Sequence, residues 1–555
     1  MKAHRSLLCL AIVAAPLLCA CDNNASPPAS AASNGASQKP TLQPRIGGEV
    51  TFGVTTEPAC FDPHNSSQQN AFLVIRNYVD SLIGKQADGS FAPWLAKSWS
   101  VSPDGREYTF ILRDDVTFTD GTPFDGAAVK ANLDYTKDPA HTANAAAFLE
   151  YYDRTEVIDP HQVRIVLSKP DSAMLESLSS VKLGFLSPKT LAAGGDLCQG
   201  GPNLVGTGPF IFNQYNRGQS ARFVKNPDYH WPPAYAAHQG PAYLDAVTYR
   251  FLPEYAVRAG ALSSGQVDLI EGVQPTDRAL FEHAEGFQFL TGPSAETSFT
   301  LNLNYRQAPT DDIRVRRALR DGFDLAAIVN NIYLGTVPRA WSNIGPDNTG
   351  YNNALVNTWG NDVPGANKLL DEAGWTGRDA EGYRTRDGQR LRVEVGYPQT
   401  YVRDNRDLLI QQIQAAVRKN LGLDLDLRLI STGEWVKSTA DGSWHIYPNT
   451  LNPSDTALSL RDVLGATGFL YRSVAQPDEQ ITGLINQARA TSDLKQRQPI
   501  LDQIQQRAVD QAFLIPLFAP NYQLAARDTL HGLSFEVQLD APSNLYDVWS
   551  EDIKK

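Results

Sequence analysis

The chain has 555 residues, 42% of them hydrophobic and 20% charged, with a formal net charge of −12 and a pI near 5.3. That is a globular composition, long enough for two or three domains. The acidic balance and the lack of any basic run speak against a phosphate-backbone partner, so no nucleic acid is expected.

The first element is a short basic start, Lys2 and Arg5, followed by the apolar run Leu7–Leu18. The run carries Pro16 and is too short to span a bilayer core, which needs about 20 residues. It reads as a secretory signal segment over 1–20. Leu18-Cys19-Ala20-Cys21 resembles the bacterial lipobox, which implies that Cys21 receives the lipid and becomes the first residue of the exported protein. An ordinary signal peptide cut nearby is the other reading. Asp22 beside the cysteine resembles an inner-membrane retention signal, and the expected place is the outer face of the cytoplasmic membrane, the periplasmic side in a Gram-negative cell. Residues 21–45 are rich in Ser, Ala, Pro, Asn and Gly and read as a flexible tether. Cleavage removes Cys9 and Cys19, and lipidation uses Cys21. Cys60 and Cys198 remain, an even number in an oxidising compartment, and are expected to pair. Two unpaired thiols are the alternative.

From Gly47 the pattern is folded. "EVTFGVT" alternates as a strand, and Asn70–Ile83 has helical apolar spacing. Asp88-Gly89, Asp104-Gly105 and Asp120-Gly121 mark turns between alternating segments, including "EYTFILRDDVTF" and "HQVRIVLSKP", which predicts antiparallel hairpins. Asp125 opens a helix as its N-cap. "GTGPF" supplies Gly206 and Gly208 as turn glycines, before strand-rich text that runs to Asn226. "EYAVRAGALSSG" is a helix closed by Gly265. From Ser298 strands alternate with helices. "SFTLNLNY" and "LRVEVGYP" are strands; "DDIRVRRALRDGF", "DLAAIVNNIYLG" and "PGANKLLDEAGW" are helices. "RDNRDLLIQQIQAAVRKNLG" is a long helix, "LDLDLRLI" a strand, and two helices span Asp478 to Asp510 before the strand "AFLIPLFAP". The pattern predicts two α/β lobes with an antiparallel insertion.

Catalytic signatures do not emerge. The sequence holds no G-x-S-x-G elbow and no H-E-x-x-H. Cys60-x-x-x-His64 is a weak metal pair, and His445 stands alone among aromatics. No cofactor, metal or catalytic residue is assigned. Trp341, Trp375, Trp435, Trp444 and Tyr447 sit near turns of the second lobe, where a few aromatics could wall a cleft.

"PWLAKSWSVSPDGREYTFILRDDVTFTDGTPFDGAAVKANLDY" (Pro93–Tyr135) resembles the signature stretch of family 5 solute-binding proteins of ABC importers, the peptide/nickel-binding group. "VGTGPF", "KNPDYHW", "ALSSGQVDLI", "LNLNYRQAPTDDIRVRRALRDGFD", "LLDEAGW" and "IPLF" continue the likeness in family order, over nearly all of the chain from Gly47. The resemblance implies a periplasmic-binding-protein-like type II α/β fold. Lobe I would comprise 46–92, 205–297 and 511–555, with an inserted domain over 93–204. Lobe II would be 298–510, with hinge strands near 297 and 511. It further implies a monomer that is not an enzyme, holds a small or peptide-like ligand between closing lobes, and delivers it to membrane permease subunits. A sensor not coupled to transport, or a lipid-anchored hydrolase, are the competing classes.

In the peptide-binding branch the stretch matching "HIYPNTLNPSD" carries an aspartate, four residues before a proline, that pairs with the ligand's α-amine. Counting back from Pro453 gives Asn449, which has no charge; Asp455 is the alternative if the loop slips. An arginine near the start of the long helix takes the ligand's carboxylate in that branch, so Arg403 and Arg406 are candidates, with solvent-exposed helix arginines as the other reading. Tyr447, Trp444, Trp341 and Asn304 complete the candidate ligand set. Ordinary free-amine peptides are expected to be poor ligands. An N-blocked peptide, a conjugate, or a neutral or anionic small organic molecule fits better.

Overall fold

A computed structural model describes residues 42–552 except 142, 295, 452–454, 469, 471–477, 537–540 and 543–544. The signal segment, Cys21 and nearly all of the tether lie outside the described residues, as does Pro453. No described helix is long and apolar enough to cross a membrane.

Two sheets organise the folded body. The first has seven strands, in the order Phe287–Pro293, Asn521–Arg527, Leu269–Glu271, Glu49–Val54, Ala246–Phe251, Ser220–Lys225 and Phe210–Asn216. Its centre is parallel, with Phe52 opposite both Tyr249 and Leu269. The second sheet has five strands, in the order Asp424–Ile430, Arg392–Pro398, Ile446–Asn449, Phe299–Leu303 and Leu514–Phe518. Each sheet carries its own apolar core, and the second is packed on both faces. This is the expected α/β architecture of two lobes.

The chain crosses between the sheets at two neighbouring places. Pro293 pairs with Asn521 in the first sheet, and Phe299 pairs with Phe518 in the second. The segments 294–298 and 519–520 therefore run side by side. The first crossing is the segment 294–298. The second falls at Ala519–Pro520, later than residue 511, because Leu514–Phe518 hydrogen-bonds to Phe299–Leu303 and so belongs to the second sheet.

The Asp-Gly text forms a four-stranded antiparallel sheet, Ala96–Val101, Glu107–Leu112, Gln162–Leu167 and Tyr152–Asp159. Gly105 turns the first hairpin with φ +69°. The inner residues of this sheet, among them Phe110, Val163 and Ile165, join the apolar core of the first lobe. Asp125 starts its helix as expected, and Asp312, Asp324, Asp362, Asp478 and Asp493 do the same elsewhere, each accepting a backbone N–H of the first turn.

Two local readings change. The helix expected over Asn70–Ile83 stops at Ile75. Asn77 donates its side-chain amide to the carbonyls of Leu73 and Val74, and so ends the helix with its own side chain. Gly206 and Gly208 are not left-handed turn glycines. A Cβ on Gly206 would lie 1.8 Å from the carbonyl oxygen of Tyr78, and one on Gly208 would lie 2.6 Å from that of Asn77. They are glycines because another backbone passes through the space of their side chains.

Cys60 and Cys198 are joined in a disulfide across a separation of 138 residues. Replacing both with serine should lower the unfolding free energy by roughly 2–5 kcal/mol, measured by urea denaturation. Unreduced protein should show no alkylatable thiol at these positions by intact mass.

Asp80 is fully buried and accepts hydrogen bonds from Thr207, Tyr229 and Trp231. Burial raises its carboxyl to about 7, against the lowering effect of Arg76 and the three donors. The folded state thus holds this proton more tightly than the unfolded state does. Its stabilising contribution is complete below pH ~4 and is lost as pH rises to ~7, at about 1.4 kcal/mol per pH unit. Asp80→Asn should remove that slope from a series of unfolding curves taken between pH 4 and 7.

Candidate functional site

Between the lobes lies a cavity of about 370 Å³. Phe91, Tyr108 and Leu175 wall it from the first lobe and its four-stranded insertion; Ile344, Leu494 and Leu501 wall it from the second. Thr297, in the first crossing segment, also faces it. Four charged side chains line the cavity, and all are paired. Lys85 Nζ lies 2.5 Å from Glu176 Oε1, and Arg497 Nη2 lies 2.6 Å from Asp455 Oδ1.

Asp455 is further occupied at the N-cap of helix Thr456–Leu464, where Ala457 and Leu458 donate their N–H groups to it. Burial works to raise its pKa, but Arg497 and these amides outweigh burial and hold the carboxyl below its usual range. Asp455 is therefore a spent charge, unsuited to be the amine partner considered as the alternative.

A second cluster adjoins Thr297. Arg403 and Arg406 converge on Glu296: Arg403 Nη2 pairs with Oε1, and Arg406 Nη2 lies 3.3 Å from Oε2. Arg406 also donates to Thr450 Oγ1 at 3.2 Å, and its guanidinium lies 4.8 Å from the ring centre of Phe299 and 5.8 Å from that of Phe518. Asp404 and Asn405 stand in succession at φ 52° and 55°, the left-handed region that Asp and Asn tolerate better than most side chains. That double turn immediately precedes helix Arg406–Leu421 and sets the direction of both arginines. The exposed-helix reading fails for Arg406, which is 3% exposed; the Arg403 side chain is 45% exposed. Glu296 was not legible in the sequence, since neither its spacing nor its neighbours mark it.

The other candidates sit elsewhere. Asn449 ends strand Ile446–Asn449, opposite Thr300, and its Oδ1 accepts from Asn302 at 3.3 Å. Tyr447 is fully buried; its hydroxyl donates to the Ser438 carbonyl and accepts from Trp444 N–H. Asn304 is likewise buried and braces a loop, donating to the carbonyls of Gly442 and Trp444 and accepting from Arg306 N–H. Trp444 packs its ring over Gly396, where a Cβ would fall 2.7 Å from it. Trp341 meets Trp359 edge to face at 5.5 Å, with the Arg339 guanidinium over its own ring. None of the seven candidates lines the cavity. Glu296, by contrast, is the chain neighbour of Thr297, so the two arginines stand near the cavity where the first crossing segment reaches it.

The metal readings end in structural roles. Cys60 is in the disulfide. His445 Nδ1 accepts from Glu394 N–H and its Nε2 faces the Ala308 carbonyl, while burial lowers its pKa and keeps it neutral. No group of three or more His, Cys, Asp or Glu able to hold a metal ion occurs among the described residues.

The sequence profile of "Bacterial extracellular solute-binding proteins, family 5 Middle" matches residues 90–459. The nickel-binding periplasmic protein of Escherichia coli K12 is 28% identical over 499 residues, which cover 88% of this chain and 92% of the relative. The glutathione-binding protein GsiB of Escherichia coli O1:K1 is 28% identical over 411 residues, 72% of this chain and 77% of that one. Among solved structures, NikA of Brucella suis in complex with Fe(III)-EDTA aligns with TM-score 0.79 and 26% identity over 91% of this chain and all of NikA. AgaA of A. tumefaciens R10 in complex with agropinic acid aligns with TM-score 0.75 and 26% identity over 91% of this chain and 99% of AgaA. Two lobes joined by paired crossings, a cavity between them and a profile match that spans both lobes have one meaning: the chain belongs to the bacterial extracellular solute-binding proteins, family 5.

Proposed function

We propose that this protein is the capture component of an ABC importer, tethered outside the cytoplasmic membrane through Cys21, and that its ligand carries no free ammonium terminus. The observation that carries the ligand reading is the pairing of charges around the cleft. Asn449, at the position where the resemblance to peptide binders puts an aspartate, carries no charge and lies outside the cavity lining. Asp455, Glu176 and Glu296 each already hold a cation. A ligand ammonium enclosed there would face neutral acceptors alone, and an uncompensated buried charge costs several kcal/mol. The walls are otherwise Phe, Tyr, Leu, Ile, Val and Gly, with Ser, Thr, Asn and Gln as hydrogen-bonding groups. This environment suits an N-blocked peptide, a conjugate or a small organic molecule. A bare metal ion as cargo has no ligand cluster among the described residues.

Native mass spectrometry of protein purified from its own host should reveal a bound organic molecule. In calorimetry, agropinic acid and Fe(III)-EDTA are the first probes, because similar proteins have been solved in complex with them, and glutathione, which has a free α-amine, should not bind tightly. A library of free-amine di- and tripeptides should give no sub-micromolar binder, since an ammonium in this cavity meets only carboxylates that already hold a cation. Sub-micromolar binding of an ordinary dipeptide by the wild type would overturn the ligand reading.

The anchor has its own test. Detergent phase partitioning should place the wild type with the detergent and Cys21→Ser in the aqueous phase or in an uncleaved precursor. A wholly aqueous wild type would refute lipidation.

A further inference from the structure

The lobes meet a second time, away from the crossing segments. Two short pieces of the insertion, around residues 150 and 171, press against helices Thr456–Leu464 and Glu479–Ala490 of the second lobe. Glu150 Oε2 accepts from Arg461 Nη1 at 2.8 Å and from Arg489 Nη1 at 2.6 Å. Asp171 Oδ2 accepts from Arg489 Nη2 at 2.7 Å. The guanidinium of Arg489 lies 4.0 Å from the ring centre of Tyr151. Ser172 donates its N–H to the carbonyl of Arg489 and its hydroxyl to that of Ala488, and so caps the C-terminal carbonyls of a helix in the opposite lobe. The side chains of Arg489, Asp171 and Arg461 are 3%, 5% and 7% exposed.

These pairs differ from the pairs that line the cavity. Lys85–Glu176 lies within the first lobe and Asp455–Arg497 within the second, so lobe motion leaves both intact. Glu150 and Asp171 travel with the insertion, whereas Arg461 and Arg489 travel with the second lobe. Their pairing is complete in one relative position of the lobes. It also adjoins the cavity, because Ser172 lines the wall and Tyr108, another wall residue, donates its hydroxyl to the Asp171 carbonyl.

We propose that Arg489, supported by Arg461, is a positioning residue for closure: the two arginines and the carboxylates of Glu150 and Asp171 form a clasp that fixes the closed register of the lobes and biases the protein towards it. The proposal rests on lobe closure as the capture step, but it needs no ligand identity. A charge buried at such a contact is tolerated only with its partner present. In the open state water serves all four groups. Removing Arg489 therefore penalises the closed state alone, stranding Asp171 there. Since a ligand's apparent affinity scales with the closed, competent fraction, the clasp raises affinity without touching the ligand.

The test is a distance distribution by pulsed electron resonance on the full-length protein without ligand. Spin labels go on Ser100, on the insertion's sheet, and Gln503, on the second lobe, attached through an unnatural amino acid so that the disulfide stays intact; both sites are exposed. Arg489→Met should lower the closed-to-open ratio by tenfold or more, Arg489→Lys by less, and Arg489→Met with Asp171→Asn should recover part of the loss. Thermal unfolding of each variant reports separately on folding. If Arg489→Met does not fold, Glu150→Gln takes its place, with a smaller shift in the same direction. Distance distributions identical to the wild type in a folded variant, or a loss of thermal stability with no change in distance, would overturn the clasp. The proposed ligand class stands or falls by calorimetry, independently of this result.

Discussion

The two sheets of this protein are joined through two neighbouring crossing segments. Strand pairing is fixed at both ends of the pair, at Pro293–Asn521 on one side and Phe299–Phe518 on the other, and the few residues between them are all that links the two sheets covalently. Such a connection turns one lobe against the other and leaves both interiors undisturbed. Arg406 touches this connection directly. It lies over the rings of Phe299 and Phe518, which terminate it in the second lobe, and it binds Glu296 within it. The start of the long helix is thereby tied by an ion pair to the segment about which the lobes turn.

The same arrangement explains why a buried glutamate stands beside two arginines. A guanidinium that is 3% exposed requires a counter-charge, and a ligand supplies one only when it is bound. Glu296 supplies that counter-charge from within the protein. The helix start and its left-handed Asp404–Asn405 turn therefore retain their shape when the cleft is empty, which reduces the ordering that binding itself must accomplish.

Most of the framework was legible in the sequence because its signals are local. Aspartate N-caps, the Asp-Gly hairpin turn at Asp104-Gly105 and the alternation of strand and helix after Ser298 all act over a few residues. The errors share a cause in contacts between distant residues. Leu514–Phe518 is apolar on both faces and reads the same in either sheet; which sheet it joins depends on Phe299–Leu303, far back in the chain. Gly206 and Gly208 have the look of turn residues, yet they answer to the backbone of Asn77 and Tyr78. Tyr447 and Asn304 offer polar groups that suit a ligand, and the structure spends those groups on backbone partners inside the second lobe. Glu296 is more than a hundred residues from either arginine, and Arg489 more than three hundred from Glu150 and Asp171. No periodicity carries pairings of that kind.

Two sorts of ion pair thus divide the work of the cleft. Those within a lobe persist through opening and closing, so they contribute nothing to closure, but they set the price of admission. A ligand bearing a free ammonium must either displace the cation of one of them or remain unpaired itself, and either course costs several kcal/mol. Pairs that cross between the lobes act in the other direction. They draw on charges belonging to the protein, so closure does not wait for the ligand to bring any. Under the proposed reading the ligand supplies shape, apolar contact and hydrogen bonds in a cavity of about 370 Å³, with each Å² of apolar surface removed from water worth about 25 cal/mol. Selectivity in such a cleft arises chiefly from exclusion of the wrong charge. A neutral ligand that fills the space gains from both sets of pairs at once, since it disturbs neither.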